Sequence, residues 1–362
     1  MTYFTTMNLP APTHARFVEK LSQYWGKPKE AVSDFEAALA TFFDVPKATT
    51  WTNCFTAIAL TLLHASRGRS KRVAVSGLAY RRTADIVKWA GLQPVFVDNS
   101  PQALTMDIGA LRNALRQLDI GCILLQHPMV KIVDVDAFSA LAEEFGVPLV
   151  FDSVEATGGY FRGKRIGRFG TAEAFSLHPS KVLNAAEGGV LTFGSEFSYA
   201  AFQRSMESAG IICPRTGDRL LFGLEPVHAV MGLASLEIYD SVTSLHKSQY
   251  QRYEKHISDL QTLELVEYDE ASVPNYKSIL ARVKTDRPDF RKRLMEYLEK
   301  LGVGARSYYA PLHPETQDHP LPNARALSEQ YMILPVGHSV SLDDIDFICA
   351  SIRQFENMNN KE

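Results

Sequence analysis

The sequence predicts an α/β protein: a mostly parallel sheet covered by helices on both faces, followed by a second, smaller α/β unit. Three observations carry this. Between residues 72 and 152, short apolar runs alternate with helical patterns. The runs (VAV, VFV, CILL, PLVF) are apolar at every position, which suits strands buried on both faces rather than strands with one wet side. From about Val266 the chain becomes a different kind of unit.

Taken in order, residues 1–28 are mixed, with Pro10, Pro12 and Pro28, and read as an arm. EAVSDFEAALATFFDV has apolar residues at helical spacing and stops before Pro46. In TTWTNCFTAIALTLLHA a polar turn, Thr52 and Asn53, leads into an apolar helix. RVAVSG then reads as a strand, RTADIVKWAG as a helix closed by Gly91, PVFVD as a strand and DIGALRNALRQL as a helix. CILLQH, DAFSALAEEFG and VPLVFD repeat the alternation, and AEAFSLH and GGVLTF add two further strands. SYAAFQRSMESAG is a helix, and HAVMGLASLEIYDSVTSLHKSQYQRYEKHISDLQ reads as one helix long enough to link two domains. KSILARVKT is a strand, DFRKRLMEYLEKLG an amphipathic helix and SLDDIDFICASIRQF a closing helix. The expected organisation is an arm over 1–28, a large domain over 29–245, and a small domain over 246–362 that includes the linking helix.

With 362 residues, 46% of them hydrophobic and 22% charged, the chain can bury a sizeable core without staples. A net charge of -3 gives no electrostatic case for nucleic acid or an anionic membrane. Cys54, Cys122, Cys213 and Cys349 are scattered, with no C-x-x-C pair and no His cluster at metal spacing, so reduced thiols and no metal are expected. The first residues lack the basic region and apolar core of a signal peptide, and no apolar run reaches membrane-spanning length. A cytoplasmic protein is expected.

In sheets of this kind ligands gather at the carboxyl ends of the strands. That singles out Ser76, Tyr80, Asp98, His127 and Asp152. An aspartate ending a strand is commonly a cap or turn residue. Downstream, Lys181 follows FSLHPS, and a lone lysine after a proline turn is commonly a surface residue. The pair reads differently. A lysine for a Schiff base and an aspartate for a pyridinium nitrogen are what pyridoxal 5′-phosphate (PLP) asks of a protein. Backbone N–H groups at the helix start after Thr52 and Asn53 make a natural phosphate site, and Ser176 adds a hydroxyl. Simple capping by Thr52 or Asn53 explains that turn equally. Tyr80 is placed to stack on a ring, or to pack in the core.

FSLHPSKVLNAAEGG, VFDSVEATGG and GKRIGRFG, in this order and spacing, resemble the DegT/DnrJ-type family of PLP-dependent sugar aminotransferases. The similarity runs from about residue 30 to 355. AGLQPVFVD, LQHPMVKIVDVDAF, YYAPLHPE and ALSEQYMILPVGHSVSLDDID also match family segments. The resemblance implies the aspartate-aminotransferase architecture (fold type I), with a large domain built on a mostly parallel seven-stranded sheet and a smaller C-terminal α/β domain. It implies Lys181 as the Schiff-base lysine, Asp152 as the pyridinium partner, and Ser176 with the backbone of Cys54, Phe55 and Thr56 as phosphate ligands. Tyr80 is implied as the stacking residue, and His313 falls on a histidine near the family's site. A homodimer with shared active sites is implied too.

There are departures. Near the phenolic oxygen of PLP the family usually has Gln or His; here it is Glu155, whose charge would repel a phenolate unless protonated or turned away. Cys54 and Phe55 crowd the phosphate turn. Where the family has an asparagine and a basic residue reaching the partner's phosphate, this chain has Leu221 and Gly223, with Arg219 as a potential substitute. Lys131, Arg81 and Arg82 are further basic residues near the sheet edge. The expected activity is transfer of an amino group from an amino acid, L-glutamate by resemblance, to a keto-deoxy sugar on a nucleotide carrier. Family relatives that dehydrate sugars have histidine in place of the lysine, so Lys181 argues against dehydration. Two alternatives stay open: amination of a non-nucleotide ketone or aldehyde, and a non-catalytic PLP-binding regulator.

Overall fold

Strand runs with no polar alternation need a cover on each face, and the chain supplies it by returning helices between strands. The computed structural model describes residues 11–285, 287 and 289–359. The large domain begins with α1 (Ala11–Gln23), α2 (Pro28–Phe43), β1 (Lys47–Trp51) and α3 (Cys54–Ala65). The alternating stretch follows as β2 (Arg72–Ser76), α4 (Arg82–Trp89), β3 (Gln93–Val97), α5 (Ile108–Gln117), β4 (Cys122–Gln126), α6 (Val135–Glu144) and β5 (Leu149–Asp152). A small hairpin, β6 (Tyr160–Phe161) and β7 (Lys164–Arg165), precedes β8 (Glu173–Ser176), β9 (Gly189–Phe193), α7 (Glu196–Ser208) and α8 (Pro226–Glu237). Then come α9 (Tyr239–Ile257), β10 (Leu263–Leu265), β11 (Ile279–Val283), α10 (Phe290–Lys300), β12 (Arg306–Ser307), α11 (Pro322–Gln330), β13 (Tyr331–Leu334) and α12 (Leu342–Asn359).

The large sheet has seven strands in the order β1-β9-β8-β5-β4-β2-β3. Only β9 runs against the others, antiparallel to both β1 and β8. Every residue of β4 and β9 is buried, as the apolar runs predict. Helix starts are capped where the sequence offers a short polar side chain: Asn53 accepts from Thr56 N, Asp107 from Ala110 N, Asp134 from Ala137 N and Ser195 from Ser198 N. The small domain is a four-stranded antiparallel sheet, β10-β11-β13-β12, and its core joins β11 and β13 to α9, α10 and α12.

Three local features depart from the sequence reading. Residues 11–23, expected within an arm, form helix α1. Strand β1 (KATTW) was hidden because its buried positions include Thr49 and Thr50. Glu36 on α2 satisfies Thr50, accepting from its backbone N at 2.6 Å and its hydroxyl at 2.9 Å. The long helix expected to link the domains is two helices that break at Ile238. The break lets Tyr239 turn inward, where its hydroxyl donates to Thr157 O at 3.0 Å. Gly158, at φ +79, has no room for a side chain beneath that hydroxyl.

The domains are stitched by polar contacts as well as by packing. Asp98, at the end of β3, caps the small-domain helix α11, accepting from Asn323 N and Ala324 N at 3.2 and 2.9 Å. Asn275 Nδ2 donates to the carbonyls of Glu155 and Thr157.

Glu173 on β8 is buried and holds the turn after β7: Oε1 accepts from Gly167 N and Phe169 N at 2.7 and 2.8 Å, and Oε2 from the Ser153 hydroxyl. Burial outweighs these bonds and pushes its carboxyl from the ordinary 4.5 up to about 7. A raised pKa contributes stability that is complete below the unfolded value and lost as the pH rises through the folded one. Glu173→Gln is therefore expected to gain stability over wild type progressively from pH 5 to pH 8, read as the urea midpoint. An advantage independent of pH would show that the carboxyl does not titrate in this window.

Candidate active site

The carboxyl edge of the sheet lines up four features through its register. Asp152 ends β5 opposite Ala174 on β8. Ser176 ends β8 opposite Gly189 on β9, and Gly189 pairs on its other side with Trp51, just before α3. A Cβ on Gly189 would lie 2.5 Å from the carbonyl carbon and oxygen of Asn53 and 2.6 Å from Cys54 N. The missing side chain thus lets the start of α3 rest directly on the strand. The Glu-Gly-Gly motif has a steric reason.

The donors at that helix start are available. Thr56 N is taken by the Asn53 side chain at 2.8 Å, while Cys54 N and Phe55 N have no acceptor among the described residues. Burial, then the nearby Asp152 charge, pushes the Cys54 thiol well above its ordinary value, so it adds no negative charge to an anion site. Ser176 Oγ accepts weakly from His178 N at 3.3 Å, leaving its proton to donate.

Asp152 Oδ1 accepts from Val154 N at 3.2 Å, and Oδ2 has no partner among the described residues. Burial pushes its carboxyl up to about 6. His127, at the end of β4, donates its backbone N to Asp152 O at 3.2 Å and stacks flat on Phe151, with centroids 5.3 Å apart. Burial pulls its imidazole down to about 3, so it is neutral, and its Nε2 lacks a partner among the described residues.

Lys181 sits in the excursion between β8 and β9, which is closed by Leu177 N to Gly188 O and Ala185 N to Leu177 O. Val182 and Leu183 anchor the loop in the core. Its Nζ donates to Glu155 Oε1 at 2.7 Å, and Lys277 Nζ donates to Glu155 Oε2 at 2.6 Å. Burial pushes the Glu155 carboxyl up, but the two ammonium groups outweigh it and hold the group well below the usual carboxylate range. Glu155 is thus ionised and doubly paired. Sequence reasoning missed Lys277. A lysine opening a strand-like run carries no local signal of its partner.

The other expected residues fall at varying distance from this centre. Tyr80 lies on the turn between β2 and α4 and is more than half exposed. Arg219 pairs with Glu36 at 2.7 Å and covers the Trp51 ring at 5.1 Å, so its charge is already engaged. Gly223 bridges Trp51, and Phe222 O accepts from Thr52 N at 2.8 Å, which brings this segment against the α3 turn. Leu221 is exposed. His313 contacts Asp85 at 3.2 Å and stacks on Phe96, spanning the two domains. Lys131, Arg81 and Arg82 make no ion pair among the described residues. Ser76 is taken up by Leu78 O and Asn99, a structural use.

The sequence model of the DegT/DnrJ/EryC1/StrS aminotransferase family matches residues 12–353. The chain belongs to this family. It is 26% identical over 351 residues to GDP-perosamine synthase of Escherichia coli O157:H7, covering 93% of each protein. Its fold superposes on DesI, solved in the presence of its TDP-sugar product, with TM-score 0.85 at 24% identity, covering 99% of this chain and 95% of that one. An aminotransferase from Streptococcus pneumoniae in its PLP form gives TM-score 0.84 at 20% identity, covering 98% of each chain. The architecture is that of fold type I aminotransferases.

The family is PLP-dependent, and the donor set of this DegT/DnrJ member fits the group. The unsatisfied N–H groups of Cys54 and Phe55 and the Ser176 hydroxyl suit a phosphate, and the open Asp152 Oδ2 suits a ring N–H. Substituting Gly189→Ala forces a methyl against the Asn53 and Cys54 backbone. The expected result is PLP affinity at least about tenfold weaker by absorbance titration, since one lost charge-assisted bond already costs about that much. Unchanged affinity would mean the α3 start does not hold the phosphate.

Proposed function

We propose that this aminotransferase moves an amino group from an amino acid, L-glutamate in the first instance, to a keto sugar carried on a nucleotide. The observation that carries the reading is Lys181, held by its loop at the sheet edge that also bears Asp152, Ser176 and the open α3 start. Similarity to GDP-perosamine synthase along 93% of both proteins supports the nucleotide-linked acceptor.

Bound PLP supplies an aldehyde and an electron-withdrawing pyridinium ring. Lys181 Nζ would hold the aldehyde and, when free, would take and return the proton at the substrate carbon. Asp152 Oδ2 would hold a proton on the ring nitrogen. The Ser176 hydroxyl and the Cys54 and Phe55 N–H groups would hold the phosphate. Tyr80, on its exposed turn, would be the residue to cover the ring. His313, tied to Asp85, fixes the small-domain loop against the large domain. Lys131, Arg81 and Arg82 are the cations open to a nucleotide diphosphate, and donor and acceptor halves alternate in a ping-pong cycle.

The expected homodimer is supported by surface chemistry. Trp89 is 54% exposed, Leu220 59% and Leu221 53%, and Trp89 contacts both Phe55 and Phe222. This apolar patch borders the phosphate end of the site and suits a two-fold interface. The four cysteines are unpaired, and no helix among the described residues is long and apolar enough to cross a membrane; both fit a cytoplasmic enzyme.

Purified with PLP, the wild type is expected to show a visible absorption band that L-glutamate discharges. Lys181→Ala is expected to lack it, and Asp152→Asn to keep it but discharge about 10²-fold more slowly. A panel of nucleotide-linked keto sugars against free keto sugars, cyclitols and simple aldehydes then identifies the acceptor. Turnover confined to the free compounds would replace the nucleotide reading, and a band inert to every donor would favour a regulatory relative. Leu221→Asp is expected to convert a dimer to monomers in sedimentation velocity and to weaken PLP binding; an unchanged sedimentation coefficient would move the interface elsewhere.

A further inference from the structure

Lys277 has no part in the reading above, yet it is built into the centre. It enters from the small domain, two residues before β11, and reaches Glu155 across the domain boundary. Its side chain is 13% exposed and that of Glu155 10%. Asn275 belongs to the same device: its Nδ2 holds the backbone carbonyls of Glu155 and Thr157 at 3.0 and 3.1 Å, and its Oδ1 accepts from Lys277 N at 3.1 Å. One clasp therefore grips Glu155 by both main chain and carboxylate.

Each Glu155 oxygen has one lysine. Once Lys181 Nζ is bonded to an aldehyde carbon it keeps at most one hydrogen and is no longer a full ammonium partner. A buried carboxylate that loses one of two cations is strongly disfavoured unless the other remains. We infer that Lys277 is a positioning residue: it keeps Glu155 ionised and in place when Lys181 is engaged, and the Glu155–Lys277 pair sets the protonation of the engaged Lys181 nitrogen. This rests on Lys181 being the residue that binds PLP.

Among the described residues, the other groups within electrostatic reach of the pair are Asp152 from β5, His178 beside Lys181, His246 from α9, Arg306 from β12, and Tyr268, Tyr308 and Tyr309 from the small domain. Burial depresses both histidines and raises the three tyrosines, so these groups are neutral at pH 7 to 9. Burial also pulls the Lys277 ammonium down to about 8, against the opposing pull of Glu155.

The signs follow from charge. The carboxylate favours a proton on the engaged Lys181 nitrogen, and the Lys277 cation opposes it. The experiment is a pH titration of the visible band of PLP-loaded wild type and of the Lys277→Met, Glu155→Gln, double and Lys277→Arg variants. Relative to wild type, Lys277→Met is expected to raise the midpoint by about one unit or more and Glu155→Gln to lower it by a similar amount. The double variant and Lys277→Arg are expected to return close to wild type. If Lys277→Met binds no PLP, restored binding and a near-wild-type midpoint in the double variant support the pair. A double variant that stays defective, midpoints that do not move, or shifts of the opposite sign overturn the inference. Absence of any band in the wild type would instead overturn the assignment of Lys181.

Discussion

The close approach of β9 to the start of α3 is the constraint on which the site depends. Gly189 lies between Ser176 and Trp51 in the sheet and presses its bare backbone against Asn53 and Cys54. With β9 reversed in an otherwise parallel sheet, the Lys181 loop can leave the end of β8 and come straight back. The helix donors, the serine hydroxyl and the lysine are thereby brought to one edge by hydrogen-bond register. A side chain at position 189 would prise them apart.

The second organising element is charge. Asp152 and Glu155 are carboxylates at the floor of a cleft, where isolated charges are costly. They meet that cost differently. Asp152 keeps one oxygen open and its carboxyl is pushed up to about 6. Glu155 is saturated by two lysines and held strongly acidic. Both cations thus pair with Glu155, and Asp152 has no ion pair among the described residues. A neutral residue at 155 would not need Lys277, so the departure at 155 and the lysine from the other domain read as a matched pair.

The cleft also depends on how the domains are joined. Asp98 and His313, which sequence reasoning placed among binding candidates, both make contacts between the domains. Asp98 spends its carboxylate on the first turn of α11, and His313 lies between Asp85 and Phe96. Both tie the small domain to the large one. Arg219 is likewise committed, balancing a Glu36 that also serves the buried Thr50. Several residues that sequence reasoning placed among binding candidates thus make structural contacts in this fold.

By itself, the sequence determined the layer architecture, the order of the alternating strands and helices from Arg72 to Asp152, and the candidacy of Asp152, Ser176 and Lys181. Those features are local: apolar runs, helical spacing, and residues standing directly at strand ends. It did not reveal β1, whose buried threonines are satisfied by Glu36 on another element, or the break at Ile238, which depends on Tyr239 meeting Thr157. Nor did it reveal Lys277, which lies 122 residues from Glu155. Each of these was decided by packing between segments distant in the chain. Periodicity records which face of an element is buried, but not which charge or carbonyl waits there.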